Sequence, residues 1–327
     1  MPQRLRLLER WLEQSCRLLP FTLTPASSDA SFRRYFRVTL GDGSTYVAMD
    51  APPEKEDCRP FVAVAERMAA AGLHVPQVHR QDLQQGFLLL EDLGSRPYLP
   101  ALEESSVERL YGDALAALLR LQQHAPSAGL PSYDRALLTR EMALFPEWLL
   151  ARHLGIALDD GERSMLDGAF EQLVVNALQQ PVVCVHRDYH SRNLMCVERD
   201  NPGVIDFQDA VAGPVTYDLV SLLRDCYVRW PPQRVDAWVA DYHRRAFAAG
   251  VVKEADPARF LEWFDLMGVQ RHLKAAGIFA RLLHRDGKPG YLADIPRTLG
   301  YIVEVGQRRP AVRRLAEFVA GRVLPAL

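Results

Sequence analysis

The sequence predicts an α+β fold of two lobes, with a small β-rich N-terminal lobe and a large helical C-terminal lobe. In the first ninety residues, alternating apolar and polar runs are separated by turn residues, and Gly41-Asp42-Gly43 joins two of them as in a hairpin. Further along, apolar residues recur with helical spacing, for example over Val107–His124. A strand-rich interruption, residues 182–207, divides these helices. We expect the lobes to comprise residues 1–92 and 93–327.

The composition of the 327 residues excludes several function classes. Hydrophobic residues make up 48% and charged residues 24%, as in soluble globular proteins rather than disordered ones. The net charge of −2 argues against a nucleic-acid partner held by a global positive field. No apolar run approaches the ~20 residues of a membrane span, and five widely spaced cysteines without a CxxC pair favour reduced thiols. We expect a cytoplasmic protein with neither nucleic-acid nor membrane partners.

The N-terminal lobe is predicted element by element from periodicity and turn residues. A helix of amphipathic character comes first, and glycine and proline then mark the ends of the later segments. After this helix the predicted elements are a loop over Thr24–Ser31, strands over Phe32–Leu40 and Thr45–Met49, a helix over Phe61–Ala71, and strands over Val75–Val78 and Gly86–Leu90. The junction between the lobes is predicted at Glu91–Gly94.

Residues 182–209 carry the most informative pattern. A short buried strand leads into His186-Arg187-Asp188, and Asn193 follows five residues after the aspartate. Two further short strands then present Asp206 at a strand end. A carboxylate, a carboxamide and a second carboxylate therefore leave short strands near one another. This set suits a base that accepts a hydroxyl proton beside two oxygen ligands for Mg²⁺.

This constellation resembles the catalytic loop and metal-binding motif of the protein-kinase fold. His190, and Gln208 in place of the glycine that would follow Asp206-Phe207, are more similar to the aminoglycoside-phosphotransferase branch. The resemblance implies ATP as the phosphate donor and Asp188 as the catalytic base, while Asn193 and Asp206 bind Mg²⁺.

The segment after Asp206 favours a small acceptor over a protein. Eleven residues separate Asp206 from Asp218, and no A-P-E sequence follows. A peptide-docking platform does not fit in that length, so no protein substrate is expected. Asp218 itself has two interpretations of equal weight, because it can brace the catalytic loop or cap the following helix.

Four stretches narrow the resemblance to one branch of this superfamily. Together they resemble the anomeric N-acetylmuramate/N-acetylglucosamine kinases of bacterial cell-wall recycling, and the resemblance runs over nearly the whole chain. It implies ATP-dependent phosphorylation of the sugar C1 hydroxyl. The sugar identity rests on the resemblance alone. The four stretches are Ala26–Phe36, Met49–Pro53, Asp206–Ala210 and Leu266–Lys274.

The nucleotide contacts are expected in the N-terminal lobe and at the junction. The loop that would cover the phosphates contains Ser27, Ser28 and Ser31 but no glycine. Its hydroxyl and N–H groups are candidate phosphate contacts, and an ordinary solvated loop is the equally weighted alternative. Glu91 and Leu93 at the junction are the other candidate nucleotide contacts.

The strand that should carry a phosphate-binding lysine lacks one. Val47-Ala48-Met49-Asp50 aligns with V-A-I-K, so Asp50 falls at the lysine position. Arg34 is the candidate substitute, because alternation places it with Phe36 and Val38 on one strand face. A solvent-facing arginine is the alternative. Glu66, where the partner of that lysine is expected, is also consistent with a solvated residue.

The acceptor pocket is predicted along one helix. No acidic residue lies between Leu266 and Arg285, yet Arg271, Lys274, Arg281 and Arg285 recur with helical spacing. A solvated face is one interpretation. In the other, Arg271 and Lys274 hold an anion, which is the lactyl carboxylate of N-acetylmuramate or the transferred phosphate.

Three rival functions stay open at this stage. His186, Asp188 and His190 could ligate the metal of a hydrolase, although this leaves Asn193 and Asp206 unexplained. A catalytically silent nucleotide-binding scaffold is favoured by the missing lysine. A kinase of another small acceptor, such as an aminoglycoside or choline, would carry the same motifs.

Overall fold

The computed structural model describes residues 2–28 and 32–327, and its N-terminal part is a five-stranded antiparallel sheet. The strands are ordered β1-β2-β3-β5-β4, so the predicted hairpin β2–β3 is present at its predicted place. The strands are β1 Phe21–Ser28, β2 Arg34–Leu40, β3 Thr45–Asp50, β4 Val78–Asp82 and β5 Phe87–Glu91; the helices are α1 Pro2–Gln14 and α2 Arg59–Ala70.

The two faces of this sheet contact different parts of the molecule. Because successive strand residues point to opposite faces, Ala48 packs toward α1, whereas Met49 packs toward α2. The α1 side is a separate small core formed by Leu8, Trp11, Leu12, Val38, Ala48, Phe87 and Leu89. The α2 side is continuous with the core of the C-terminal part. The second face therefore borders any cleft between the lobes.

Two predictions for this region are wrong. The segment predicted as a loop, Thr24–Ser31, is a strand up to Ser28, and β1 pairs along its length with β2. A register shift between Pro25 and Ser27 accommodates the proline, which an edge strand tolerates. The strand predicted at Val75–Val78 instead begins at Val78, because pairing with β5 sets its start. Ser31 lies outside the described residues.

The C-terminal part is mostly helical, as predicted, and is organised around the 30-residue helix α8. The predicted bounds of α3 match. The helices are α3 Val107–His124, α4 Arg135–Met142, a π-helix Phe145–His153, α5 Asp160–Leu178, α6 Tyr217–Leu223, α7 Pro232–Ala248, α8 Pro257–Asp286, α9 Ile295–Arg308 and α10 Arg313–Phe318. Short 3-10 and π segments lie at Leu99–Ala101, Pro289–Asp294, Pro310–Val312, Val319–Val323 and Leu324–Ala326.

Two short antiparallel strand pairs interrupt these helices and carry the informative loops. In the first, β6 (Val182–Val185) pairs with β9 (Val211–Pro214). In the second, β7 (Leu194–Met195) pairs with β8 (Gly203–Val204). The loop that contains Asp188 follows β6, and the segment that contains Asp206 follows β8. The chain therefore delivers both carboxylates from strand ends, as the sequence indicated.

A buried ion cluster fixes α8 against its neighbours. Asp265 of α8 is fully buried and pairs with Arg224, which follows α6, at 2.6 Å. The Oδ2 atom of Asp265 accepts a hydrogen bond from Arg309 at 2.7 Å. Arg308 at the end of α9 pairs with Oδ1, the same oxygen that Arg224 contacts. Removing one partner of a buried ion pair is strongly destabilising, because the remaining charge is left in a low dielectric. The cluster therefore locks three helices together.

No helix among the described residues has both the length and the apolar character needed to cross a bilayer. All five cysteines are free thiols.

Glycine at position 277 lets α8 approach the segment before the π-helix, and this contact gives a stability prediction. A Cβ there would lie about 2.5 Å from the Leu144 carbonyl oxygen, closer than real Cβ contacts. Helix propensity alone favours alanine by ~1 kcal/mol, but overpacking costs about 1–3 kcal/mol or more. Gly277→Ala should therefore lower the free energy of unfolding measured in urea.

The matched control for this prediction is Gly168→Ala in α5, where an added Cβ meets no described atom within 4 Å. That variant should be up to ~1 kcal/mol more stable than the wild type. A Gly277→Ala protein that gains stability like the control would contradict the close helix approach.

Candidate active site

Two cavities meet at the loops that follow β6 and β8. The larger, of about 420 Å³, lies between the sheet and the C-terminal part. The smaller, of about 280 Å³, lies against α8. Of the residues that the structure describes, Arg192, Asn193 and Asp206 line both cavities, and Asp188 lines the smaller one. The predicted base and the predicted metal ligands therefore lie at the junction of the two cavities or beside it.

Asp218 braces the loop that carries Asp188. Its fully buried carboxylate accepts the backbone N–H of His186 at 2.7 Å and that of Arg187 at 2.9 Å. Burial raises the pKa of Asp218 to about 6, although these two donors favour the charged form. Arg187 has a φ of 79°, so this loop turns through the left-handed region. The interpretation of Asp218 as a loop brace is confirmed over that of a helix cap.

His186 orients the loop from within the core. Its Nδ1 accepts from the Asp188 N–H at 3.2 Å, and its Nε2 lies 3.1 Å from the Ile205 carbonyl oxygen. Burial lowers the pKa of this imidazole, so it is neutral. Because both ring nitrogens are engaged by the backbone, His186 cannot ligate a metal. Among the described residues, no group of three or more histidine, cysteine, aspartate or glutamate side chains is placed to hold a metal ion.

Asn193 links the predicted base to the second carboxylate. Its Nδ2 donates to the Asp188 backbone oxygen at 3.0 Å and to Asp206 Oδ2 at 3.2 Å. Gln208, which stands where the kinase motif has glycine, donates to Asp206 Oδ1 at 2.9 Å. The structure thus brings Asp188, Asn193 and Asp206 together through side-chain and backbone hydrogen bonds.

Cations on α8 set the charge state of Asp188. Burial by itself would raise the pKa of this carboxyl, but Lys274 and Arg271 hold it below its ordinary value. Lys274 and Arg271 are buried and line the smaller cavity. Asp188 is therefore a carboxylate at neutral pH, the form that can accept a proton.

Glu141 is a residue of this network that the sequence analysis missed. It is buried on α4, pairs with Arg187, and lies 3.2 Å from Lys274 Nζ. Burial would raise its pKa, but Lys274 and Arg187 lower it. Tyr217 completes the network with its hydroxyl 2.9 Å from Lys274 Nζ. No local signal marks Glu141, since its partners come from distant segments.

Arg271 differs from its neighbour Lys274 because no carboxylate in the described part of the chain pairs with it. Its Nη1 donates to the Cys226 sulfur at 3.6 Å, and its buried Nε has no hydrogen-bond partner there. Beyond the cavity, Arg281 is partly exposed, and Arg285 is exposed and pairs with Asp286. The predicted basic stripe thus divides into two cavity residues and two residues near the surface.

The predicted nucleotide contacts are divided between several environments. Glu91 and Leu93 line the larger cavity, and the Glu91 carboxylate is bonded to His74 Nε2 at 3.0 Å. Ser27 and Ser28 form the end of β1. Ser31 lies outside the described residues.

The position expected for Arg34 requires correction. Alternation is as predicted, but the face that Arg34 shares with Phe36 and Val38 is the one that packs on α1. There Arg34 and Arg4 both pair with Asp50, which is fully buried. Arg34 is therefore directed away from the larger cavity by strand geometry.

The same alternation changes the interpretation of β3. Asp50 faces α1, so it is not the residue turned toward α2; that residue is Met49. Glu66 is exposed on α2, as its solvated alternative predicted. The arginine of β2 that lines the larger cavity is Arg37, and its guanidinium is bonded to Asp92 at 2.6 Å and to the Gly94 carbonyl at 3.0 Å.

Comparison with known proteins agrees with this geometry. The profile of the phosphotransferase enzyme family matches residues 22–263. The chain belongs to this family. The resemblance to phosphotransferases is therefore confirmed, and the protein is a phosphotransferase.

Two relatives align with most of the length of this chain. A protein of Pseudomonas putida named N-acetylmuramate/N-acetylglucosamine kinase is 53% identical over 299 residues, which are 91% of this chain and 88% of the relative. A protein of Neisseria meningitidis with the same name is 44% identical, over 94% of this chain and 92% of the relative.

Solved structures confirm the predicted fold class. An ethanolamine kinase of Plasmodium vivax superposes with a TM-score of 0.66 at 10% identity, covering 95% of this chain and 90% of that chain. An ADP-bound aminoglycoside phosphotransferase superposes with a TM-score of 0.58 at 16% identity, covering 90% and 96%. At these identities the likeness concerns the fold alone.

The brace formed by Asp218 gives a second testable prediction. Asp218→Asn keeps the size of the side chain but removes one acceptor, so one loop N–H is left unpaired. An unsatisfied buried donor costs about 1–3 kcal/mol, and the displaced loop should also lower kcat. Urea unfolding and steady-state kinetics measure the two effects.

The matched control is Asp134→Asn at the N-cap of α4, where the aspartate accepts from the Leu137 N–H. Asparagine caps helices about as well as aspartate, so the control should be nearly neutral. If Asp218→Asn is equally neutral, the hydrogen bonds of Asp218 to the loop contribute little to stability.

Proposed function

We propose that this protein transfers the γ-phosphoryl group of ATP to the anomeric hydroxyl of N-acetylmuramate and N-acetylglucosamine. The observation that carries the choice of sugar is the identity of 53% and 44% to two proteins with that name. The observation that supports the chemistry is the junction of two cavities beside a carboxylate, Asp188. Because ATP is available in the cytoplasm, we also propose that the reaction takes place there.

On the donor side, residues 1–92 form the nucleotide-binding lobe in this proposal, and residues 93–327 carry the catalytic loop and the acceptor pocket. ATP occupies the larger cavity, with its adenine ring beside Glu91 and Leu93, where the two lobes join. Its phosphates extend toward Asn193 and Asp206, which line the inner part of that cavity. Backbone and hydroxyl groups of Ser27, Ser28 and Ser31 are proposed contacts of the phosphates.

The residues at the cavity junction fit a magnesium ion. Asp206 offers carboxylate oxygens and Asn193 an amide oxygen, the ligand types that Mg²⁺ prefers. The hydrogen bonds of Asn193 Nδ2 to Asp188 and Asp206 hold this amide at the junction. When bound, the ion would neutralise charge on the phosphate oxygens.

Asp188 is the proposed general base. It lines the smaller cavity, where the sugar would bind, and the cations of α8 keep it charged. A carboxylate there accepts the proton of the C1 hydroxyl as the oxygen attacks phosphorus. Lys274, which is bonded to Glu141 and Tyr217, is proposed to fix the local charge balance and to contact the acceptor.

Arg271 is the proposed anion contact of the acceptor pocket. N-acetylmuramate differs from N-acetylglucosamine by a lactyl ether that carries a carboxylate. An arginine binds such a group through two parallel hydrogen bonds. Arg271 lines the smaller cavity, and within the described residues it pairs with no carboxylate. The lactyl carboxylate would supply that missing partner.

The first test of the proposed function uses Asp188→Asn. The change preserves size but removes basicity, and general-base assistance is worth ~10²–10⁴-fold in rate. We expect kcat on both sugars to fall by about that factor while the Kd for ATP, measured by calorimetry, is retained. Asp200→Asn is the matched control, since Asp200 lies in an exposed turn and its positive φ suits asparagine.

Different failures of this test have different meanings. A near-wild-type kcat in Asp188→Asn would show that Asp188 is not the base. A wild-type enzyme that turns over an aminoglycoside or choline but neither amino sugar would refute the assigned acceptor. ATP binding without transfer to any acceptor would favour the scaffold.

A second test concerns Arg271. Arg271→Met retains much of the side-chain volume and removes the charge. Loss of a hydrogen bond to a charged group costs roughly 1.5–3 kcal/mol, about ten- to 150-fold in kcat/KM. We expect the loss for N-acetylmuramate to exceed the loss for N-acetylglucosamine by this factor, because any effect of the lost charge on Asp188 is common to both sugars. Arg281→Met, farther along the same helix, is the control. An equal loss for both sugars would show that Arg271 does not contact the lactyl carboxylate.

A further inference from the structure

Among the described residues that line the larger cavity, the cations are Arg37 and Arg192. On β3, the residue turned toward α2 is Met49, and on β2, Arg34 pairs with Asp50 on the opposite face. Arg37 lines the larger cavity, but Asp92 and Gly94 occupy its guanidinium. Phosphoryl transfer develops charge on three oxygens that must be stabilised. A positive group of the chain beside the proposed magnesium ion would add to this stabilisation.

Arg192 is the cation at the point where the two cavities meet. Among the described residues that line both cavities, Asn193 and Asp206 are the proposed metal ligands, and Arg192 is the third. A phosphoryl group that passes from ATP to an acceptor must cross this junction. The cations of α8, Arg271 and Lys274, line the smaller cavity alone.

The backbone of Arg192 is held in place on both sides. Ser191 donates its N–H to buried Asp225 at 2.9 Å, and its hydroxyl contacts the same carboxylate. Asn193 donates its N–H to the His190 carbonyl at 2.9 Å. The Cα of Arg192 thus lies between two anchored neighbours.

The guanidinium of Arg192 is held by stacking and not by an ion pair. Its Cζ lies 3.6 Å from the ring centroid of Tyr227 and 5.6 Å from that of Tyr291. A stacked guanidinium presents its N–H groups at the edge, in the plane where a phosphate can accept two of them. No carboxylate of the described residues pairs with it, and the side chain is exposed.

We propose that Arg192 is a catalytic residue that binds the transferred phosphoryl group at the junction of the two cavities. The inference rests on the proposed function for the acceptor, but not on which sugar it is. In the reaction, the bond between the γ-phosphorus and the β–γ bridging oxygen breaks, and the acceptor oxygen bonds to phosphorus. The acceptor proton passes to Asp188, and ADP leaves. Arg192 donates hydrogen bonds to non-bridging oxygens of the phosphoryl group throughout.

The test compares Arg192→Ala and Arg192→Lys with the wild type. Removing one preorganised contact to the transition state costs ~10²–10³-fold in kcat. We expect that loss in Arg192→Ala for both sugars alike, with the KM values and the Kd of ADP little changed. Arg192→Lys should recover part of the rate, because it restores the charge without the planar fork.

The matched control is Arg152→Ala. Arg152 is exposed and stacks on Trp148 at 4.3 Å, but it lies outside both cavities. This variant should retain wild-type kinetics. The variant shows how much kcat changes when an exposed, stacked arginine is removed at a place where no phosphoryl group is bound.

A second measurement does not require the correct acceptor. Calorimetry gives the affinity for ADP alone and for ADP with Mg²⁺ and fluoroaluminate, which imitates the transferred phosphoryl group. The wild type should bind the second mixture more tightly, and Arg192→Ala should lose most of that gain. If neither sugar is phosphorylated but this loss is seen, the proposed function fails and the role of Arg192 stands.

Three outcomes overturn the proposal. In the first, Mg²⁺ and fluoroaluminate increase the affinity of Arg192→Ala for ADP as much as they increase that of the wild type. In the second, they do not increase the affinity of the wild type, since the junction would then hold no phosphoryl group. The third is a rate loss confined to N-acetylmuramate, which would make Arg192 a contact of the lactyl carboxylate.

Discussion

The site depends on keeping one largely buried carboxylate, that of Asp188, in its charged form. Burying a charge is costly unless an opposite charge compensates it. Here the compensation comes from Lys274 and Arg271 on α8. Two residues more than eighty positions farther along the chain therefore determine whether the loop after β6 can act as a base.

The position of α8 is fixed by several contacts. Gly277 allows it to approach the Leu144 backbone at a distance that a side chain would forbid. The Asp265 cluster ties it to the ends of α6 and α9. Glu141 then neutralises Lys274 and Arg187 together, so that the cations beside Asp188 do not accumulate excess charge. The same helix therefore carries a close backbone contact, a buried ion cluster and the cations beside Asp188.

Arginines and lysines of the two lobes fall into two physical classes according to their partners. Arg37 and Lys274, which line the cavities, and Arg34, which does not, each form an ion pair with a carboxylate of the chain. Arg192 and Arg271 have no such partner among the described residues; they rest on a tyrosine ring and on a thiol. A cation held by neutral groups keeps its charge for an anionic ligand. This distinction, which requires coordinates, identifies the residues most suited to bind phosphate or carboxylate.

The sequence by itself predicted the mostly helical character of the C-terminal part, the helix α3, the β2–β3 hairpin and the proximity of Asp188, Asn193 and Asp206, but it missed β1. These follow from local periodicity and from spacing within one short segment, where few backbone geometries are possible. Only the tertiary structure decided the partner of each charge. Glu141 reaches Lys274 across 133 positions, and Arg34 faces α1 because the helix covers that side of the sheet and not the other. Strand alternation predicts which residues share a face, but the packing of distant elements decides what each face contacts.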